Sequence, residues 1–119
     1  MVRKLQKADI DRVADIWLDT NLKAHDFISA QYWKRNFKLV KEMLLQAEVY
    51  VYESDQKIQG FIGLNNDYIE GIFVSDKMQS QGIGKILLND TKDKRNELRL
   101  NVYRKNTRAI SFYQREGFE

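Results

Sequence analysis

Three strand-like runs follow one another in the middle of this chain, and they constrain its fold more than any other feature. They cover residues 48–53, 58–64 and Tyr68–Val74, and they are rich in β-branched and aromatic side chains. The residues between them, Ser54-Asp55-Gln56 and Asn65-Asn66-Asp67, are types that favour tight turns. Neighbouring strands joined by short turns pair antiparallel, so the middle of the chain predicts an antiparallel sheet.

Helical and strand patterns on both sides extend this sheet. Before it, the periodicity predicts three elements: a strand over residues 2–6, a helix from Ala8 or Asp9, and a helix over residues 28–47. After it come three more: a helix from Gly82 to residue 96, a strand over residues 98–103, and a helix around 109–113 ended by Gly117. The order β-α-α-β-β-β-α-β-α is typical of a mixed sheet covered by helices. It predicts one α/β (α+β) domain over residues 1–119.

The counts of cysteine and histidine exclude several classes of site. The chain has no cysteine and one histidine, which excludes disulfides, thiolate zinc sites, cysteine nucleophiles and multi-histidine metal sites. No metal is therefore expected. No run of about 18 apolar residues is present, and the N-terminus lacks the apolar segment of a signal peptide. We therefore expect no membrane contact and a cytoplasmic location.

Positive charge is concentrated in the C-terminal third of the chain. Residues 76–119 carry 10 basic and 6 acidic side chains, whereas residues 1–75 carry 10 basic and 11 acidic ones. This surplus indicates either an anionic partner that docks there or an ordinary mixed-charge surface. A nucleic acid is not the expected partner, because Asp90, Asp93 and Glu97 interrupt the basic residues and no known nucleic-acid-binding motif is present.

The segment between the third central strand and the next helix is the most informative motif for function. It reads Gln79-Ser80-Gln81-Gly82-Ile83-Gly84-Lys85. Glycines at a helix start let an anion approach bare backbone, where free N–H groups and the helix dipole bind it; alternatively, they permit only a tight turn. A P-loop would need glycine at position 79 and Ser or Thr at position 86. A dinucleotide fingerprint would need glycine at position 87. Neither pattern fits.

The remaining pattern, Q-x-x-G-x-G after a strand, resembles the coenzyme A loop of the GNAT N-acetyltransferases. A second signature of that family is similar to the segment Asn106-x-x-Ala109-x-x-Phe112-Tyr113-x-x-x-Gly117-Phe118. The order of strands and helices also resembles the family from residue 1. The N-terminal part looks like a bacterial subgroup, some of whose members acetylate protein lysines, at Trp17-Leu18-Asp19-Thr20, His25-Asp26-Phe27-Ile28 and Tyr32-Trp33.

The resemblance implies a GNAT (acyl-CoA N-acyltransferase) fold with acetyl-CoA as co-substrate. The pantetheine arm would lie in a gap between the strands at Tyr68–Val74 and residues 98–103, bonded to the backbone near Ile72, Phe73 and Val74. The backbone N–H of Val74 would stabilise the developing oxyanion. The pyrophosphate would bind the backbone N–H groups of Gln79, Ser80, Gln81, Gly82, Ile83, Gly84 and Lys85. The 3′-phosphate would meet one or two of Lys85, Arg104, Lys105 and Arg108.

The reaction implied by the resemblance is direct attack of a primary amine on acetyl-CoA. Tyr113 stands where the family places the general acid for the leaving thiolate, and Asn106 would orient the cofactor or a water. Asn101 replaces a glutamate that some relatives carry as the base. Glu70 is the first substitute and His25 the second. Each of these residues also has an interpretation without a catalytic role. Tyr113 would then pack in the core, Glu70 would be a solvated charge on a strand, and His25 would be an ordinary loop residue.

The implied activity is N-acetyl transfer to a protein lysine, an N-terminus or a small-molecule amine. The alternative is a CoA-binding module without turnover, because Asn101 cannot take a proton and the family pattern continues with two strands beyond Gly117-Phe118. The chain is accordingly expected to be C-terminally truncated relative to the family. Without those two strands, one edge of the sheet would be open. Either a homodimer would cover that edge, or the chain would be a cofactor-binding core with weaker recognition of the acceptor.

Overall fold

The computed structural model describes residues 1–118, which form one mixed sheet with helices on both faces. The strands are β1 (Val2–Lys4), β2 (Glu48–Ser54), β3 (Lys57–Asn65), β4 (Tyr68–Val74) and β5 (Arg99–Leu100). The α-helices are α1 (Ile10–Ala24), α2 (Ala30–Arg35), α3 (Phe37–Leu44), α4 (Ile83–Lys94) and α5 (Thr107–Arg115). Short 3-10 turns precede α1 and α4, at Lys7–Asp9 and Asp76–Met78.

The sheet has the order β1-β2-β3-β4-β5, with neighbouring pairs antiparallel from β1 to β4 and a parallel pair β4–β5. The predicted mixed α/β architecture is therefore confirmed. Strand β3 lies at the centre and is buried on both faces from Gly60 to Leu64. This explains why its sequence is nearly continuous in apolar residues instead of alternating.

Two apolar clusters, one on each face of the sheet, hold the helices in place. On one face, α1 packs Val13, Ala14 and Ile16 against side chains of β2 and β3 that include Val49, Val51 and Phe61. On the other face, α4 packs Ile83, Leu87 and Leu88 against Ile62, Leu64 and Ile69. Because the two faces are covered by different helices, the C-terminal end of α1 and the N-terminal end of α4 belong to opposite layers.

The prediction of one helix over residues 28–47 is wrong, since the segment forms two helices that meet at Asn36. The side-chain amide of Asn36 donates to the carbonyl of Tyr32 at 2.7 Å, and its backbone N–H donates to Trp33 at 3.2 Å. Asparagine competes in this way with the regular helical ladder. The break lets α2 place Trp33 against Trp17 while α3 buries Leu44 separately.

The prediction of a strand over residues 98–103 is also too long. Strand β5 covers only Arg99–Leu100, paired with Tyr68 and Ile69 of β4. Directly after Ile69, β4 carries a bulge at Glu70. Ile69 pairs with Leu64 of β3 and Gly71 pairs with Gly63, so Glu70 has no partner in the register with β3. A bulge bends its strand and increases the local twist. Beyond Ile69, no residue of β4 is paired with β5.

Among the helices of residues 1–118, none combines the length and the apolar character needed to cross a bilayer.

Candidate active site

A cavity of about 850 Å³ opens beyond the last β4–β5 pair, where β4 continues without its parallel neighbour. Four segments line it: the end of α1 with the residue that follows (residues 20–25), the end of β4 (residues 72–74), the connection into α4 (residues 76–85), and α5 with the residues at its two ends (residues 105–116). The volume lies within the range of small-molecule sites. The cavity reaches the end of β4 that the GNAT resemblance assigns to the pantetheine arm, whereas none of residues 98–103 is among the described residues that line it.

The end of β4 presents backbone groups to this cavity. The N–H of Ser75 donates to Gln59 of β3 at 2.8 Å. Since successive N–H groups of a strand point to opposite sides, the N–H of Phe73 also faces β3, and those of Ile72 and Val74 face the gap. The carbonyl of Val74 accepts a hydrogen bond from the side-chain amide of Gln79 at 3.1 Å. An extended ligand can therefore bond to the free side of β4 as an added strand does.

The two glycines of the motif serve different purposes. Gly82 has φ +85°, and a Cβ there would meet no atom within 4 Å, so the backbone conformation and not space requires glycine. Gly84 lies close to α5, so a Cβ at this position would be only 3.4 Å from the ring of Phe112. The helical ladder of α4 begins with Ile86 N–H donating to Gly82. The N–H groups of Ile83, Gly84 and Lys85 therefore lack helical partners, which is the arrangement that binds anions.

Arg108 connects α5 to the loop of residues 79–85, the candidate anion-binding loop, which is called the anion-binding loop from here on. Its guanidinium donates to Oε1 of Gln79 at 2.9 Å and to Oγ of Ser80 at 3.1 Å. The sequence singles out Arg108 only as one of four candidate cations for the 3′-phosphate of CoA. Its position two residues after Asn106, inside the second signature, was the only signal. The contact places a positive charge beside the N-terminus of α4, where both favour a phosphate group.

Tyr113 lies half-buried on α5 and lines the cavity. Its ring makes edge contacts with Phe112 at 5.2 Å and Phe118 at 5.6 Å between centroids. Burial disfavours the charged phenolate and raises the pKa of Tyr113 to about 12. The phenol therefore keeps its proton at physiological pH and can serve as a proton donor.

Asn106 caps α5 and also touches the only histidine. Its Oδ1 accepts from the N–H of Ala109 at 3.1 Å, and its Nδ2 lies 3.2 Å from Nε2 of His25. On the other side of the ring, Nδ1 of His25 lies 3.0 Å from Oδ1 of Asn21. Burial lowers the pKa of His25. Sequence reasoning did not find Asn21, whose position in the last turn of α1 carries no motif.

The position predicted for the base and its two substitutes differ in whether they line the cavity. Glu70 is exposed at the bulge of β4, and Asn101 is exposed just after β5; neither is among the described residues that line the cavity. His25 does line it. The structure thus brings together Tyr113, Asn106, His25 and the anion-binding loop, with Glu70 outside that group.

Comparison with known proteins gives consistent results. A family model described as "Acetyltransferase (GNAT) domain" matches residues 46–119. The peptidyl-lysine N-acetyltransferase YiaC of Escherichia coli (strain K12) is 35% identical over 120 residues, covering 99% of this chain and 82% of the relative. The peptidyl-lysine N-acetyltransferase YjaB of Salmonella typhimurium is 29% identical, with coverage of 99% and 82%.

Solved structures agree on the fold. The solution structure of the apo form of YjaB from Escherichia coli has a TM-score of 0.89 at 26% identity and covers all of this chain and 82% of that one. The crystal structure of PaiA N-acetyltransferase from Thermoplasma acidophilum in complex with coenzyme A has a TM-score of 0.88 at 22% identity, with coverage of 100% and 89%. The expected GNAT fold is confirmed. With the family model matching more than half of the chain and YiaC similar along nearly all of it, this protein belongs to the GNAT acetyltransferases and is a small acyltransferase of the bacterial type.

Proposed function

We propose that this acetyltransferase moves the acetyl group of acetyl-CoA directly to a primary amine, with a protein lysine as the first acceptor to test. One observation carries the proposal: a single cavity is lined by the anion-binding loop, the free side of β4 and Tyr113. The names of YiaC and YjaB support lysine as the acceptor. Their being named as enzymes also favours turnover over a module that only binds CoA.

The lining of the cavity offers groups for three parts of acetyl-CoA, namely the pyrophosphate, the pantetheine arm and the thioester carbonyl. The N–H groups of Ile83 to Lys85 would hold the pyrophosphate, and Arg108 would add charge beside it. The N–H groups of Ile72 and Val74 would bond to the amide-bearing pantetheine arm. When bound, acetyl-CoA supplies an acetyl thioester that is activated toward amines. We assign the polarisation of its carbonyl to the N–H of Val74.

Tyr113 would hold the proton that the departing thiolate needs. An attacking amine loses a proton and a CoA thiolate gains one during transfer. The burial that raises the pKa of the phenol acts in the same direction on the thiolate, because both groups are charged only when deprotonated. The proton transfer between them therefore stays nearly balanced inside the cavity.

Glu70 is our proposed base, acting on the amine through water. It is exposed at the bulge where β4 leaves β5, so it stands at the margin of the gap and not within the cavity lining. His25 is less suited, because the lone pair of its Nε2 already faces the amide of Asn106.

Acetyl-CoA is expected to stabilise the protein against heat, whereas ATP and NAD are not. At about 100 times the Kd, a ligand that binds only the folded state adds roughly 2.7 kcal/mol, or roughly 10 °C in Tm for a domain of this size. A thermal-shift titration measures this effect. Equal shifts with ATP would show a general phosphate site, and no shift with acetyl-CoA would contradict the proposal.

A further inference from the structure

The one histidine of the chain joins two walls of the cavity that are distant in sequence. His25 follows the last turn of α1, and Asn106 caps α5, 81 residues later. Asn21, one turn before His25, completes a chain of hydrogen-bonded side chains that runs from α1 through the imidazole to α5. This chain, Asn21–His25–Asn106, is called the imidazole link below.

Both amides of the link are oriented by bonds that do not involve His25. Oδ1 of Asn106 accepts from the N–H of Ala109, so Nδ2 is the group that faces Nε2 of His25. Nδ2 of Asn21 donates to the carbonyl of Trp17 at 2.8 Å, so Oδ1 faces Nδ1 of His25. A donor must meet an acceptor at each contact. The link is therefore satisfied only by the neutral imidazole with its proton on Nδ1.

The surroundings of His25 favour that neutral form. Rings from three segments pack against it, with centroid distances of 4.7 Å to Tyr103, 5.6 Å to Phe27 and 5.6 Å to Trp33. This burial lowers the pKa of the imidazole below its ordinary 6.5. Protonation would turn Nε2 into a donor that faces the amide NH₂ of Asn106. Because Asn106 is held by its cap, it cannot turn, and the link would break.

The titratable groups around His25 lie on its own segment, on the 3-10 turn before α4 and on the segment before α5. Lys23 and Asp26 lie on its own segment, and Lys23 is paired with Asp19 at 3.2 Å and with Asp76 at 3.3 Å. Tyr103 and Lys105 belong to the segment before α5, where Nζ of Lys105 lies 5.6 Å from the centre of the Phe27 ring. Helix α2 contributes the uncharged Trp33.

The link has a consequence for the acceptor. The anion-binding loop and the end of β4 are assigned to acetyl-CoA, so the wall at residues 20–25 remains for the amine. We propose that His25 is a positioning residue that, as the neutral Nδ1–H imidazole, fastens this acceptor wall to the helix that carries Tyr113. The inference rests on the proposed function, and His25 acts here through the link and not as the base.

Nuclear magnetic resonance of the unmodified protein tests the link without any activity. With one histidine, the ring gives one set of ¹⁵N signals. We expect a protonated Nδ1 and an unprotonated Nε2 at pH 7, the tautomer opposite to the one that free imidazole side chains prefer. A proton on Nε2 at pH 7 would overturn the proposal.

Kinetics of two variants test the consequence. His25→Phe keeps a ring but removes both hydrogen bonds, so kcat/KM for a lysine peptide should fall about tenfold, while the Kd of acetyl-CoA stays within about twofold. His25→Gln, which keeps an amide donor and acceptor, should recover part of the loss. Tyr32→Phe is the matched control, since Tyr32 is exposed on α2 and its ring contacts Trp33 and not His25.

The pH profile separates a titrating link from a merely structural one. An amine acceptor must lose one proton, so log kcat/KM rises with slope one below the amine pKa of about 10. Protonation of His25 breaks the link, so log kcat/KM falls by about one further unit, the tenfold loss expected of His25→Phe, as the pH drops through the pKa of His25. In His25→Gln this additional fall is absent, and the slope stays at one over that pH range.

The outcomes distinguish this proposal from the proposed function. Normal transfer by His25→Phe, with kcat/KM within about twofold of the unmodified protein, would overturn the positioning role alone. Absence of acetyl transfer by the unmodified protein would overturn the proposed function, and the positioning role with it, whatever tautomer the spectrum shows.

Discussion

Tyr113→Phe is expected to lower kcat for acetyl transfer about 100- to 1,000-fold, because it removes the phenolic proton that we assign to the leaving thiolate. The Kd of acetyl-CoA should stay within about twofold, since the phenylalanine ring can keep the edge contacts with Phe112 and Phe118. Single-turnover rates and a binding titration measure the two quantities separately. A fall in kcat without a change in Kd indicates a group that acts only in the transition state.

The matched control is Tyr68→Phe, which removes a phenol from β4 outside the cavity lining. It should leave kcat and Kd unchanged. If Tyr113→Phe retains more than about a third of kcat, the phenol is not the general acid and Tyr113 is a packing residue.

Lys85→Glu is expected to raise the Kd of acetyl-CoA about 10- to 100-fold, because it replaces a cation beside the anion-binding loop with an anion. Lys85 lies in the first turn of α4 and is exposed. A carboxylate near a helix N-terminus interacts favourably with the helix dipole, so the Tm without ligand should stay equal or rise. The variant thus weakens binding without weakening the fold.

Lys57→Glu is the control for net charge. Lys57 is exposed at the start of β3, outside the cavity lining, and its substitution changes the net charge by the same amount as Lys85→Glu. Its effect on Kd should be within about threefold and should fade with added salt. Equal losses for both variants would mean that overall charge, and not the loop at α4, attracts the cofactor.

The parts of the fold that sequence could predict are those that depend on local patterns. Strands β2, β3 and β4 follow from β-branched runs and turn residues. The end of α5 follows from Gly117, which has φ +98° as a C-terminal glycine should.

The parts that sequence missed depend on contacts between distant segments. The helix break at Asn36 reflects the separate packing of Trp33 and Leu44, which apolar periodicity cannot distinguish from one continuous face. The short β5 reflects a bulge at Glu70, which only the register with β3 reveals.

The same holds for the candidate site. Its loop and Tyr113 carry motifs and could be named from the chain. The partners of His25 could not, because Asn21 and Asn106 meet the imidazole only after α1 and α5 are packed. Arg108 could be named as a cation, but its bonds to Gln79 and Ser80 required the folded loop.

The most direct test of the account is a quantitative transfer assay with acetyl-CoA and a lysine peptide. Free CoA and acetylated peptide should appear in equal amounts and only when both substrates are present, because the amine attacks the thioester directly. No acetylated peptide from a protein that binds acetyl-CoA, or release of CoA without an acetylated amine, would contradict the account.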